Sequence, residues 1–185
     1  AVLQRNEVPV EGFINSGRVA ASMGADYFGI ISEKYHKPQV VSSYEPEDVL
    51  EAILHLVKQT KNKTAMPENL FPSVVTGEGN PQSHQLLEEV FESDDMEWTG
   101  FGKIKGSGFK IKRAYRAHNA EEIFFDVKTP EPVLPEGCLC GEIMRGVASP
   151  QECPYFAKTC NPINALNACM YSEEGPCRVD FLYGR

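Results

Sequence analysis

Residues 138–177 read CLCGEIMRGVASPQECPYFAKTCNPINALNACMYSEEGPC. This stretch holds all six cysteines of the 185-residue chain. Cysteines that only fill space in a core are not expected to segregate in this way. We therefore expect the six thiols to converge on one shared site near the C-terminus.

Three kinds of structure would explain the convergence. Thiolate sulfur is a soft ligand that suits zinc and iron–sulfur clusters. Six cysteines would also make three disulfides in a small stapled domain, or they could be buried and inert thiols. The spacing lacks the paired C-x2-C knuckles of a zinc ribbon. His118, the nearest histidine, lies upstream of the whole run, which disfavours a mixed Cys/His zinc site.

The number of cysteines is itself informative. A four-iron cluster is normally held by four thiolates, so six cysteines leave two in excess. Two extra thiols beside such a cluster would form a redox-active dithiol that exchanges electrons in pairs. The short Cys138-x-Cys140 element would then supply one sulfur to the cluster and one to the dithiol.

Several segments, taken together, resemble one known family. They are the C-terminal run from Cys138 to Gly146, Pro150 to Phe156, Lys158, Cys160, Pro162, Cys169-Met170 and Glu174-Gly175 before Cys177, with Gly12 to Ile14, Glu45-Pro46 with Asp48, Glu78 to Pro81, Val90 to Glu92, Trp98 with Gly100, and Ser107-Gly108 upstream. This set resembles the C-terminal part of the HypD family, the maturation factors of [NiFe]-hydrogenase, and indicates a divergent member. The resemblance is collinear over essentially the whole chain, and the cysteine pattern is its most specific part.

The resemblance implies a [4Fe–4S] cluster in an arrangement like that of ferredoxin–thioredoxin reductase. By matching positions, the implied cluster ligands are Cys138, Cys153, Cys160 and Cys177. The implied redox dithiol is Cys140 with Cys169. Glu142 and Glu174 are interpreted as structural residues or as neighbours of the ligands. An alternative is that Glu174 handles a proton beside the dithiol.

The resemblance also implies a function. In the family, the protein is a scaffold on which an iron atom receives one carbon monoxide and two cyanide ligands. It works with a HypC-like chaperone and a HypE-like cyanide donor, while the cluster and the dithiol supply or relay electrons. This predicts an electron-handling assembly factor more than a turnover enzyme.

The chain departs from the family pattern in two respects. The family's iron-holding cysteines lie in an N-terminal half, whereas no cysteine precedes Cys138 here. We therefore expect a fragment, a separate chain that supplies that half, or a divergent protein that has lost the iron-scaffold role. In addition, Asn15 to Ala20 replace a usual Gly-Pro-Gly-His-Val-Ser loop, Thr99 replaces an arginine, and Glu173 to Cys177 replace Ser-Glu-Gly-Ala-Cys.

Two other functions remain open. The first is an iron–sulfur disulfide reductase subunit that passes electrons to a partner protein, and a thioredoxin-like partner would favour it. The second is a zinc-stabilised interaction module, which would carry zinc and no sulfide.

Composition narrows the class of protein. The net charge of −8 disfavours nonspecific binding to nucleic acid, which requires a basic surface. No run approaches the roughly 18 apolar residues needed to cross a membrane. The sequence shows no secretory signal, and a long cysteine-free region ahead of the thiols is typical of intracellular proteins. We expect a cytoplasmic location.

The remaining pattern predicts an α/β fold with an open, mostly parallel sheet and flanking helices, followed by a small Cys-rich iron–sulfur domain. The expected domains are a Rossmann-like region at 1–127 and the cysteine region at 128–185, with a proline-rich linker at 126–137. The predicted elements are strands at 8–14, 39–42 and 73–76, helices at 19–35, from Pro46 and from Pro81, a loop at 60–70, and a hairpin between 103–105 and 109–112. In parallel α/β sheets ligands bind beyond the carboxyl ends of strands, so the loops at 15–18, 43–46 and 77–81 are expected to share one rim.

Overall fold

A computed structural model of the chain describes residues 2–4, 8–127 and 134–184. The chain divides into two compact units. One is Val10–Val90, and the other comprises the described parts of Ala1–Pro9 and Phe91–Arg185. Within the described residues, no helix is both long and apolar enough to span a membrane.

The first unit is built on a small parallel sheet. Its strands are β1 (Phe13–Ser16), β2 (Gln39–Ser42) and β3 (Pro67–Asn69), in the order β1-β2-β3. Both pairings are parallel, and all four residues of the central strand are buried. Such burial is typical of a strand that helices cover on both faces.

The helices of this unit are α1 (Gly17–Met23), α2 (Gly29–Tyr35), α3 (Pro46–Asn62) and α4 (Pro81–Val90), with a 3-10 turn at Asp26–Phe28. Pro46 and Pro81 each stand at the first helical position, where the missing N–H costs nothing. Asn80 Oδ1 accepts a hydrogen bond from Gln82 N at 2.9 Å, as the Asn-Pro pair predicts.

The second unit begins with an antiparallel hairpin. It comprises β4 (Phe91–Trp98) and β5 (Gly102–Ile111), followed by α5 (Ala120–Ile123), α6 (Cys140–Met144), α7 (Ala168–Tyr171) and α8 (Pro176–Tyr183). Short 3-10 turns cover Val2–Gln4, Arg113–His118 and Pro150–Glu152. The hairpin predicted between 103–105 and 109–112 is wrong, because β5 runs unbroken through residues 106–108. The observed hairpin joins β5 to β4, where the partner of Lys103 is Glu97.

The predicted third strand at 73–76 is wrong, as is the predicted loop at 60–70. Helix α3 continues to Asn62, and Pro67–Asn69 forms the third strand. The backbone of Val75 is used in a turn, because its N–H donates to Phe71 O at 2.9 Å and its carbonyl accepts from Asn69 Nδ2 at 2.8 Å. Val75 is therefore buried without pairing to the sheet.

The single helix predicted at 19–35 is two helices. Gly24 interrupts it at φ 94°, with its backbone against Gly77 and Glu78. A Cβ on Gly24 would collide with this backbone, so the break depends on a residue without a side chain.

The apolar residues of α3 recur at helical spacing, which predicts that one face of the helix is buried: Val49, Leu50, Ile53, Leu54 and Val57. This prediction is wrong. Leu50, Ile53, Leu54 and Val57 are 67%, 45%, 51% and 57% exposed. The helix instead buries Ala52 and Gln59. Gln59 is satisfied there, since it accepts from Met66 N and donates to Glu68 Oε2.

The predicted linker falls largely on residues 128–133, outside the described residues. The predicted domain boundary at 127/128 lies at the edge of these residues and stays a prediction.

Candidate functional site

The cysteines form the core of the C-terminal part of the chain. Five of the seven buried residues of one core cluster are cysteines: Cys140, Cys153, Cys160, Cys169 and Cys177. Cys138 is partly buried and packs against them, and none of the six is in a disulfide. The predicted convergence of the thiols is therefore observed.

Short capped turns place two of these sulfurs. Glu152 Oε2 accepts hydrogen bonds from Ser149 N at 2.6 Å and from Ser149 Oγ at 2.8 Å, which closes the turn before Cys153. Cys153 N then donates to Pro150 O at 3.1 Å. Cys160 follows a second turn, in which its N–H donates to Tyr155 O at 2.9 Å and Ala157 adopts φ 56°.

The last two cysteines are placed by helices α7 and α8. Cys169 lies in α7, and Cys177 lies in the first turn of α8 behind Pro176. A Cβ on Gly175 would collide with the Cys169 carbonyl oxygen. The entry to α8 therefore packs directly on the backbone of α7, which brings Cys177 toward Cys169.

Cys140 and Cys169 interact through their side chains. The Cys169 thiol donates a hydrogen bond to the Cys140 sulfur, and this lowers the pKa of Cys140 to about 7 against the opposing effect of burial. The same hydrogen bond, followed by burial and by a contact with Cys177, raises the pKa of Cys169. One member of the pair thus ionises readily while the other retains its proton.

The other sulfurs have different surroundings. Burial raises the pKa of Cys177 to about 11, and burial also raises the pKa of Cys138. Asn167 Nδ2 donates a hydrogen bond to Cys138 Sγ at 3.4 Å. Cys140 Sγ lies 3.7 Å from Met144 Sδ, one helical turn ahead.

Sequence reasoning missed one neighbour of the thiols. Asn167 is buried beside Cys138 although 29 residues separate them, and nothing in the local pattern marks it. Glu142, which the sequence singles out, acts on Cys140 because its charge raises the pKa of that thiol, whereas Glu174 is exposed.

The donor set suits soft metals. Six thiols share one small core, and thiolate is the ligand of both zinc and iron–sulfur clusters. Among the described residues, no group of three or more His, Cys, Asp or Glu side chains is arranged to hold a single metal ion. The four thiolates of a four-iron cluster bind separate irons, so they do not converge on one point.

The predicted rim of the parallel sheet is met in part. Tyr44 Oη donates to Ser16 Oγ at 2.8 Å, and the Arg18 guanidinium lies 5.8 Å from the Tyr44 ring centroid. The end of β1 and the first turn of α1 thus meet the loop after β2, beside a cavity of about 310 Å³. The loop at 77–81 lies elsewhere, since Asn80 N donates to Ser22 O in α1.

Comparison with known proteins identifies relatives along the whole chain. The family described as "HypD: Hydrogenase formation hypA family" matches residues 1–184. The chain is 37% identical over 179 residues to the hydrogenase maturation factor HypD of Cupriavidus necator, covering 96% of this chain and 47% of that protein. It is 37% identical over 188 residues to the HypD of Rhodobacter capsulatus, covering 100% and 50%.

A putative hydrogenase expression/formation protein of Methanocaldococcus jannaschii is also similar. It is 37% identical over 178 residues, which cover 96% of this chain and 49% of that protein. The chain therefore spans about half the length of the curated relatives it matches.

Proposed function

The chain belongs to the HypD family of hydrogenase maturation factors, and on this basis we propose that it is an iron–sulfur protein of [NiFe]-hydrogenase assembly. Its role is to hold a [4Fe–4S] cluster and to relay electrons while the Fe(CN)2CO group is built. The observation that carries the proposal is the core of the C-terminal part, in which five of the seven buried residues are cysteines and Cys138 packs against them.

The proposed cluster ligands are Cys138, Cys153, Cys160 and Cys177. Their fit to the group is supported by the donor set: four thiolates are what a four-iron cluster normally requires, and these four lie in one core cluster. A bound cluster supplies one-electron transfer. Cys153, Cys160 and Cys177 are buried, which would keep water from the ligands.

Cys140 and Cys169 are the proposed redox dithiol. Their sulfur–sulfur hydrogen bond and the lowered pKa of Cys140 support this role, because the thiolate is the reactive form of cysteine. Reduction of a Cys140–Cys169 disulfide takes up two electrons and two protons and yields two thiols. The electrons come one at a time from a one-electron donor. In the reduced pair Cys169 stays protonated, whereas Cys140 is the thiol that ionises more readily.

The proposed partners follow from the family. The protein would act with a HypC-like chaperone and a HypE-like cyanide donor, and the iron that receives the carbon monoxide and cyanide ligands is its cargo. Since the chain spans about half of its relatives, a separate chain or a longer form of this protein would supply the other half, including the iron-holding cysteines. We place this activity in the cytoplasm.

The second candidate is an iron–sulfur disulfide reductase subunit. The contact between Cys140 and Cys169 favours it equally, because a dithiol of this kind also reduces disulfides of other proteins. The partner separates the two functions: a thioredoxin-like protein that the chain reduces would favour the reductase.

Metal analysis of protein purified without oxygen tests the cluster. We expect about four irons and four sulfides per chain with a broad brown absorption. Stoichiometric zinc without sulfide, persisting after anaerobic reconstitution, would replace the proposal with a zinc-stabilised interaction module.

Two matched variants test the division of the cysteines. Cys153→Ser removes a proposed ligand and should abolish or badly disrupt the cluster. Cys169→Ser removes one member of the dithiol and should leave iron and sulfide at the wild-type level. Equal loss of the cluster in both variants would sink the four-plus-two assignment.

A further inference from the structure

The turn between β4 and β5 contacts α6, the helix that begins at Cys140. Gly100 lies in this turn at φ 82°, and a Cβ added there would come within 2.7 Å of the Gly141 Cα. In the other direction, a Cβ on Gly141 would collide with the Gly100 carbonyl oxygen. The two backbones touch with no side chain between them, which requires glycine at both positions.

The same turn makes a second contact after the last residue of α6. The Arg145 guanidinium lies 5.5 Å from the Phe101 ring centroid, within the range of a cation–π interaction. Arg145 is only 8% exposed, and its Nη2 donates to Glu142 Oε1 at 3.2 Å. Gly100 thus contacts the start of the segment 141–145, and Phe101 contacts its end.

The hairpin holds this turn in shape. Phe101 N donates to Trp98 O at 2.9 Å across the turn. The Trp98 indole donates from Nε1 to Ser107 Oγ at 2.7 Å, and Ser107 Oγ donates to Ile104 O at 2.8 Å. Side-chain and backbone hydrogen bonds therefore fix the surface on which α6 rests.

We propose that the turn formed by residues 99–101 is a positioning element for Cys140. It sets the position of α6 and thereby the separation of the Cys140 and Cys169 sulfurs. This inference rests on the proposed role of these two residues as a redox dithiol. Disulfide geometry is narrow, so a displaced α6 strains the disulfide and favours the dithiol.

The effect of the turn on the disulfide is measured by equilibrating the protein with a dithiothreitol redox buffer. In that exchange the Cys140–Cys169 bond breaks, two protein thiols form, and reduced dithiothreitol closes to its cyclic disulfide. Wild type, Gly100→Ala and Gly102→Ala are purified anaerobically with their cluster and equilibrated in the buffer. The fraction of disulfide is then counted by acid quenching, alkylation and mass spectrometry.

Gly102→Ala is the matched control. Gly102 lies at φ 74° beside the same turn, yet the nearest atom to an added Cβ is Glu97 Oε1 at 3.9 Å. Both substitutions impose the same left-handed strain, but only Gly100→Ala pushes on α6. We expect Gly100→Ala to shift the equilibrium about tenfold toward the dithiol, about 30 mV for a two-electron couple. Gly102→Ala should match wild type.

A gentler pair of variants covers the case in which Gly100→Ala fails to fold or loses its cluster. Phe101→Leu removes the ring beside Arg145 without a clash and should shift the equilibrium in the same direction by a smaller factor. Phe109→Leu removes an exposed ring of β5 that pairs with Phe91 and should have no effect.

The outcomes separate the two proposals. If wild type shows a Cys140–Cys169 couple whose equilibrium Gly100→Ala and Gly102→Ala shift equally, that result would overturn the positioning role alone. The same conclusion would follow if neither Gly100→Ala nor Phe101→Leu shifted the equilibrium. A wild-type protein with no Cys140–Cys169 couple would overturn the redox dithiol and the positioning role together.

Discussion

Ala157 adopts the left-handed conformation at φ 56° in the turn that separates Cys153 from Cys160. Its N–H donates to the Cys160 carbonyl oxygen at 3.1 Å. Ala157 therefore closes the turn with a hydrogen bond and is also the residue whose backbone is strained. For an L-residue other than glycine this conformation costs roughly 1–2 kcal/mol. This strain lies in the loop between Cys153 and Cys160, which are both proposed cluster ligands.

Replacing Ala157 with glycine should therefore stabilise the protein. Glycine relieves the left-handed strain but loses more entropy on folding, so we expect a net gain of about 0.5–1 kcal/mol. Denaturant unfolding of the anaerobic protein measures it. Ala148→Gly is the control, because Ala148 packs on the same core at an ordinary φ and should lose stability. A destabilised Ala157→Gly variant would contradict the argument.

At this scale the grouping of the cysteines was predictable from sequence. The segregation of six cysteines after residue 137 predicts one shared core, and the structure has it. Asn167 beside Cys138 and the contact of Gly100 with Gly141 were not predictable, because each joins residues far apart in sequence. A sequence pattern reports local geometry, while these contacts follow from how separate turns pack.

The 3-10 turn at Pro150–Glu152 depends on the charge of one side chain. The Ser149 backbone N–H, and then the Ser149 hydroxyl, lower the pKa of Glu152 by donating to its carboxylate. Because the carboxylate is favoured in the folded state, it stabilises the turn above the ordinary carboxyl pKa of 4.5. That contribution is lost as the pH falls through the lowered pKa.

We expect Glu152 to titrate below the ordinary glutamate range, and Ser149→Ala to raise its pKa part of the way back. The backbone donor survives in this variant, so the return should be incomplete. Carboxyl carbon shifts followed by NMR in the anaerobically purified protein, with its metal group bound, measure both values. An unchanged Glu152 pKa in Ser149→Ala would remove the hydroxyl from the explanation.

The elements were predicted unevenly. Helix α3 was found because Pro46 marks its start and its apolar period is helical. The third strand was missed because Ser73 to Thr76 have the stronger β propensity, whereas Pro67–Asn69 pair with β2 only through tertiary contacts. The buried face of α3 was misjudged because Ala52 allows close packing on the sheet and Gln59 is buried with its hydrogen bonds made.

Each compact unit has its own buried cluster. In Val10–Val90 this cluster consists of Ala20, Ala25, Val41 and Val75. In the other unit it consists mainly of thiols. The proposed cluster, if bound to these thiols, would supply much of the folding free energy of this unit.

Removal of the proposed cluster by an anaerobic chelator should therefore loosen one unit only. We expect amide hydrogen exchange to accelerate in residues 138–184 while β2 and α3 keep their protection. The Cys169→Ser variant, treated alike, should respond as wild type does, since it lacks none of the proposed ligands. Equal acceleration throughout both units, or no acceleration at all, would contradict a folding role for the cluster.

At the scale of the molecule the family was predictable from sequence, and the match to residues 1–184 confirms it. The compact units divide between Val90 and Phe91, where α4 ends and β4 begins. Proline content predicts a separate boundary at 127/128, and this boundary stays a prediction.

A core in which five of seven buried residues are cysteines is exposed to oxygen in a way that an aliphatic core is not. A thiol that reaches the sulfinic acid cannot return without a dedicated repair enzyme, and it brings a charge into the apolar interior. Ageing in air would then act on the C-terminal part as successive core mutations, each irreversible. The unit at Val10–Val90 contains no cysteine and would not suffer this damage. The two units of one molecule would therefore lose their native structure in air at different rates.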